Sequence, residues 1–175
     1  IGTNAYATAS NSIVIGNGAQ SLRADKSYQT GENTIAIGKN ATANHTSGIA
    51  IGTNASAKFT YGVAIGHDAK STGGALASTA VGGYADATGE ASTALGTLAQ
   101  SKGHSSSAVG REAVATGDGA TSLGFQSNTS GQNGIAIGRK AQSILERSIA
   151  LGNESKAQTT DAMASVSYTH LTLPT

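Results

Sequence analysis

Along most of the chain an aliphatic residue, a small residue, a second aliphatic residue and a glycine recur as a unit. The glycines stand at Gly2, Gly16, Gly38, Gly52, Gly66, Gly82, Gly96, Gly110, Gly124, Gly138 and Gly152, spaced by 14, 22, 14, 14, 16 and then 14 five times. The residue before the glycine is always aliphatic, as at Ile37, Ile51, Ile65, Leu95 and Ile137. Two positions earlier stand Ile35, Ile49, Val63, Thr79, Thr93, Ser107, Thr121, Ile135 and Ile149, with Ala usually between. Period-2 alternation in β-branched residues predicts a short strand, and a glycine in every copy excludes helix.

Three residues beyond the glycine a second segment alternates small and polar, as in Ala41-Thr42-Ala43, Ala55-Ser56-Ala57 and Ala141-Gln142-Ser143. It predicts a second strand with one small face and one wet face. Two strands and two turns in 14 residues make one flattened lap of a β-roll, and are too few for a triangular lap of hexapeptides. The chain therefore reads as all-β, a solenoid of about eleven 14-residue coils. Two copies carry insertions, of eight residues at about 22–29 and of two residues between Gly66 and Gly82. The repeat glycine ends the strand where the chain turns sharply; with no helix after it, a phosphate cradle is excluded.

The first strand is apolar on both faces. If its aliphatic pair fills the roll, the alanine face needs a cover, and alanine admits close approach by a sister chain. The expectation is thus aliphatic inside, alanine against another protomer. Two aliphatic side chains per coil bury too little to offset ordering fourteen backbones, so a lone monomer should be marginal.

Composition narrows the function. The 175 residues include 24 Gly, 2 Phe, 5 Tyr and no Trp, which leaves no bulky globular core. Charged residues are 12%, about half the usual share. Lys and Arg number 11 against 10 Asp and Glu, with no basic run or stacking platform, which argues against nucleic acid as a partner. Without Cys there is neither disulfide nor thiolate metal site. No signal peptide or bilayer-spanning apolar run is evident, and a chain beginning inside its repeat reads as a fragment whose anchor lies elsewhere.

The segment Asn11-Ser12-Ile13-Val14-Ile15-Gly16-Asn17-Gly18-Ala19 resembles the head repeat of trimeric autotransporter adhesins, the YadA-like family, with its NSVAIG motif. Ser148-Ile149-Ala150-Leu151-Gly152 and Asn33-Thr34-Ile35-Ala36-Ile37-Gly38 are further matches. The resemblance covers roughly residues 1–157, which are read as the head domain; 158–175 are set apart as a non-repeat tail. Of that tail, 165–175 shares nothing with the repeat and reads as a disordered junction or sequencing scar. The resemblance implies a left-handed parallel β-roll, a homotrimer, and display at the outer membrane of a Gram-negative bacterium, with no direct membrane contact by this fragment. It also implies attachment to a host matrix protein such as collagen, to other cells or to surfaces. Neck, stalk and barrel patterns are missing from this stretch.

Carried over residue by residue, the motif nominates Asn11, Ser12, Ile13, Val14, Ile15 and Gly16 as ligand-binding. The eight-residue insertion adds Arg23, Asp25, Lys26 and Tyr28, since a loop bulging from a regular rod is a natural contact surface. His45, His67, His104 and His170 lack metal-ligand spacing, and Asp118-Gly119 does not extend into a calcium nonapeptide. No nucleophile–base pattern stands out, so no enzyme is expected and no cofactor is called for. A trimeric phage tail-fibre or collar segment is the alternative function. An ice-binding face would need an unbroken Thr ladder, which Thr79, Thr93 and Thr121 supply only in part.

Overall fold

The computed structural model describes residues 1–21, 32–74 and 77–165. Among these, every regular element is a strand, and the strands form two parallel sheets of eleven. One sheet collects the long strands, such as Ile35–Ile37, Ile49–Ile51 and Thr93–Leu95; the other collects the short ones, such as Thr42–Ala43 and Ser56–Ala57. Each repeat position pairs with itself one coil on: Ile35 with Ile49, Ala36 with Ala50, Ile37 with Ile51. The result is a parallel β-solenoid in which the side chains form columns.

Insertions leave this register intact. Ile13–Ile15 pairs directly with Ile35–Ile37, and Gln20 with Thr42, across the eight-residue insertion. The insertion itself, with Arg23, Asp25, Lys26 and Tyr28, lies outside the described residues. Val63–Ile65 meets Thr79–Val81 in the same way across the shorter one. Stacking also runs past residue 157, because Met163–Ala164 pairs with Ile149–Leu151. Methionine and alanine there keep the outward-apolar, inward-small pattern without the aliphatic-Gly signature that marks the other coils.

The laddering continues through the turns. After a long strand such as Ile35–Ile37 the chain reverses over four residues, closed by Ala41 N–H donating to Gly38 O at 3.3 Å. Gly38 takes φ +132°, and a Cβ there would stand 2.4 Å from the carbonyl oxygen of Gly52. Both the backbone angle and the approach of the next coil therefore require glycine. Two residues on, the chain is left-handed at Asn40 and Asn54, a conformation asparagine tolerates well. Gly52 N–H donates to Ile37 O at 2.8 Å and Asn54 N–H to Lys39 O at 2.8 Å, so turn amides pair between coils as strand amides do.

The interior reverses the expectation drawn from the sequence. The alanines between the aliphatic residues, Ala36, Ala50, Ala64, Ala80, Ala94, Ala108, Ala136 and Ala150, point into the roll and are fully buried by their own chain. The aliphatic pairs point out. Each coil fills its inside with four small residues, for example Ala36, Ala41, Ala43 and Thr34 or its Gly48 counterpart. The reason lies in the turns: two tight reversals in a 14-residue lap hold the sheets too close for leucine or isoleucine between them. Methyl facing methyl reaches close packing only when sheets approach nearer than the usual ~10 Å.

Hydroxyls inside the roll come with partners. Ser71 Oγ donates to Ser78 O at 2.8 Å and accepts from Ser78 Oγ at 2.7 Å. Ser101 and Ser106 pair at 2.6 Å, Ser143 and Ser148 at 2.8 Å, and Ser21 pairs with Thr34. Ser122, standing where alanine is the norm, reaches Thr129 Oγ1 at 2.8 Å, which in turn donates to Thr121 O at 2.8 Å. The extra methyl of Thr129 is balanced by Gly134 opposite, where an added Cβ would fall 3.0 Å from Thr129 Cγ2. These interior hydroxyls are thus satisfied, and volume is conserved where a threonine replaces alanine.

Candidate interaction face

The outward side of the long-strand sheet carries two parallel columns. One runs Ile15, Ile37, Ile51, Ile65, Val81, Leu95, Val109, Leu123, Ile137 and Leu151 without a polar break. The other runs Ile13, Ile35, Ile49, Val63, then Thr79, Thr93, Ser107, Thr121, then Ile135, Ile149 and Met163. All are at least partly open: Ile13 is 49% exposed, Leu123 43%, Ile137 38% and Met163 67%. No charged residue stands in either column. At about 4.8 Å per coil the strip is roughly 50 Å long, on the order of 500 Å² of side chains. A patch of that size, free of charge, marks an interaction surface.

The opposite sheet differs. Its outward column holds Gln20, Thr42, Ser56, Lys70, Asp86, Gln100, Asn128, Gln142 and Lys156, residues that suit water. Tyr6 and Val114 are its apolar members.

The structure separates the residues nominated from the motif at 11–16. Asn11 occupies a left-handed turn position with φ 53°. Ser12 Oγ donates to Ala9 O at 2.9 Å, which closes the same turn. Val14 points inward and packs on the alanine cluster, while Gly16 at φ +136° belongs to the glycine column. Only Ile13 and Ile15 share a surface, and it is the aliphatic strip. These six residues supply a turn, a strand and the repeat glycine of one coil.

The histidines within the described residues sit at turns. His67 Nδ1 lies 2.6 Å from Asp68 Oδ2, and its ring meets that of Tyr84 with centroids 5.2 Å apart. His45 stacks on Phe59 at 5.8 Å. His104 donates its backbone N–H to Asp118 Oδ1 at 2.8 Å. Among the described residues no group of three His, Cys, Asp or Glu is placed to hold a metal; His170 lies outside them.

Turn side chains instead link successive coils. Arg111 lies over the Phe125 ring at 4.3 Å, and Arg139 bonds Glu154 at 2.6 Å. Arg147 grips Asp161 through Nε at 2.6 Å and Nη2 at 3.0 Å. That hydrogen bond outweighs the opposing cost of burial and, with a lesser contribution from the guanidinium charge, holds the Asp161 carboxyl below its ordinary 3.8. A carboxyl lowered on folding stabilises the last coil above about pH 3.8, and the contribution is lost as pH falls through the lowered value. We expect NMR titration to find Asp161 below 3.8, returning toward it in Arg147→Ala. No change on that substitution would mean the pair does not form in solution.

A second glycine column went unread in the sequence. An added Cβ at Gly89, Gly103 or Gly131 would come 2.0 Å from the next coil's carbonyl oxygen. Gly89, Gly103, Gly117 and Gly131 recur at 14-residue spacing, a signal masked because His45, Phe59 and Leu145 take the same place in other coils.

The chain matches the family model of the YadA head domain repeat over residues 1–19, 30–55, 74–99, 87–113, 101–127, 115–141 and 146–165. It belongs to that family. A solved structure, the collagen-binding domain of Yersinia adhesin YadA, covers 94% of this chain with 89% of its own length, at 21% identity and a TM-score of 0.57. At that identity the likeness speaks for the fold. No curated protein matches the chain. A YadA head repeat has an adhesin-type function, and the family and fold are non-enzymatic in general. The motif now has a reason at each letter: a left-handed turn residue, a small inward hydroxyl, an outward aliphatic, an inward alanine, an outward aliphatic, and the glycine the next coil demands.

Proposed function

We propose that three copies of this chain pack their aliphatic strips together, and that the trimeric rod is displayed on a Gram-negative outer surface as an adhesin head. The carrying observation is the uninterrupted, uncharged column from Ile15 to Leu151 on the outside of an otherwise self-sufficient roll. Three is the number that the trimeric autotransporter resemblance implies. The ligand is a host matrix protein such as collagen, or another cell-surface receptor, bound through many shallow equivalent sites in three copies. Ile13 and Ile15 cannot serve both assembly and ligand, and in this reading they serve assembly. Ligand contact then falls to exposed turn positions such as Asn11 and to the insertion carrying Arg23, Asp25, Lys26 and Tyr28.

Sedimentation equilibrium is expected to give three times the 17.2 kDa chain mass. Deleting 22–29 should leave that mass unchanged and weaken retention on immobilised collagen. A stably folded single chain would overturn the assembly. Unchanged retention would remove the insertion from the ligand contact, and no retention by the parent on collagen or a matrix panel would sink the adhesive role.

A further inference from the structure

The two outward columns do not do the same thing. The one from Ile15 to Leu151 is aliphatic in every coil, so it offers the same surface at each level. A chain sliding by one coil along such a column meets an equivalent neighbour and loses only end contacts. A repetitive interface of this kind has no intrinsic register.

The neighbouring column is not uniform. Aliphatic residues at Ile13, Ile35, Ile49 and Val63 give way to four consecutive hydroxyls, and aliphatics resume at Ile135. The parallel ladder stacks Thr79, Thr93, Ser107 and Thr121 directly over one another. Their hydroxyls point out of the roll onto the half-buried strip, and none donates or accepts a side-chain hydrogen bond within the described residues. In a strip that is otherwise without polar groups, four adjacent hydroxyls with no use inside the chain need partners elsewhere. A hydroxyl is donor and acceptor at once, so its own equivalent on a sister chain suits it.

We propose that this block is the register key of the assembly: the hydroxyls of Thr79, Thr93, Ser107 and Thr121 meet the same residues of the sister chains around the axis. The inference rests on the proposed assembly through the aliphatic strip. In register, hydroxyl faces hydroxyl at four levels. A slip of one coil sets a hydroxyl at each end of the block against an aliphatic side chain in every pair of chains, leaving it buried and unbonded. The aliphatic column thus supplies association and the mixed column supplies alignment, as a single polar residue does in a coiled coil.

The absence of native Cys gives a direct test. Two chains carrying Ile49→Cys and Val63→Cys, one coil apart in the mixed column, are co-expressed, oxidised and mapped by mass spectrometry. Chains in register place like cysteines together, whereas an unlike pair crosses a coil step and is held beyond disulfide reach. We expect like-with-like bonds alone. With Thr79, Thr93, Ser107 and Thr121 all changed to Val, nearly isosteric for the threonines, the trimer should persist by sedimentation. Mixed disulfides, joining position 49 of one chain to position 63 of another, should then rise by about tenfold or more. A trimer that stays in register without the hydroxyls overturns the proposal, as do mixed bonds in the parent. A trimer with no disulfide of either kind also overturns it, because the column would not meet itself. A monomeric parent fails the assembly reading instead. Should the fourfold variant misfold by circular dichroism, Thr93→Val with Ser107→Val splits the block and must raise mixed bonds in the same direction.

Discussion

Ala108→Leu is expected to unfold the middle of the rod, while Val109→Ala beside it barely disturbs the single coil. Ala108 is fully buried in a cluster with Ala113, Ala115 and Ala120, all of them closed to solvent. Its column neighbours in register are Ala94 and Ser122. A leucine adds three carbons where the facing sheet leaves room for a methyl, and the ladder of bonds on both sides prevents the sheets from parting locally. Overpacking ordinarily costs about 1–3 kcal/mol, and we expect at least the upper end, ~3 kcal/mol, in so narrow a space. Because each coil touches only its neighbours, the damage should split a single thermal transition followed by circular dichroism into two. The sequence-based reading, with aliphatics inside, predicts the opposite ranking. A tolerated leucine at 108 would restore it.

Leu95→Asp combined with Val109→Asp should dissolve the assembly and leave the coil folded. Both side chains project from the roll on the uninterrupted aliphatic column, so in an isolated chain each carboxylate stands in water. Between three chains, six carboxylates would be buried close together without cations, and an unpaired buried charge costs about 3–5 kcal/mol. Sedimentation should report the mass of one chain, and far-ultraviolet circular dichroism should keep its β signal at a lower melting temperature. An oligomer of unchanged mass would show that this strip is not where copies meet.

How much of this was legible before the structure depends on the kind of information each feature needs. The spacing of Gly38, Gly52 and Gly66, with an aliphatic-Ala-Ile triplet before each, carries the period, the strands and the parallel stacking, because these are local and repeat in every coil. Alternation sorts Ile35 and Ile37 to one face and Ala36 to the other, but it cannot choose the inner face when both are apolar. That choice follows from sheet separation, which is set by left-handed turns at positions such as Asn40 and Ser47 and is not encoded in periodicity. Greater hydrophobicity pointed to the wrong side. The interior hydroxyls did leave a trace: Ser71 with Ser78, Ser101 with Ser106 and Ser143 with Ser148 occur together in their coils. Reading them as partners requires knowing that the two positions face each other across the roll. The motif at 11–16 was legible as fold, and its nomination as a binding site came from the family alone.

The coil-to-coil ladder has an evolutionary side. Ile35 pairs with Ile49, and Ile49 with Val63, through the same set of bonds, so a coil removed or duplicated leaves its former neighbours with an acceptable contact. Unequal recombination between tandem copies of the gene segment would therefore lengthen or shorten the projection in whole steps without a refolding problem. Lineages could tune how far the tip stands from the cell by copy number, leaving the chemistry of each coil untouched.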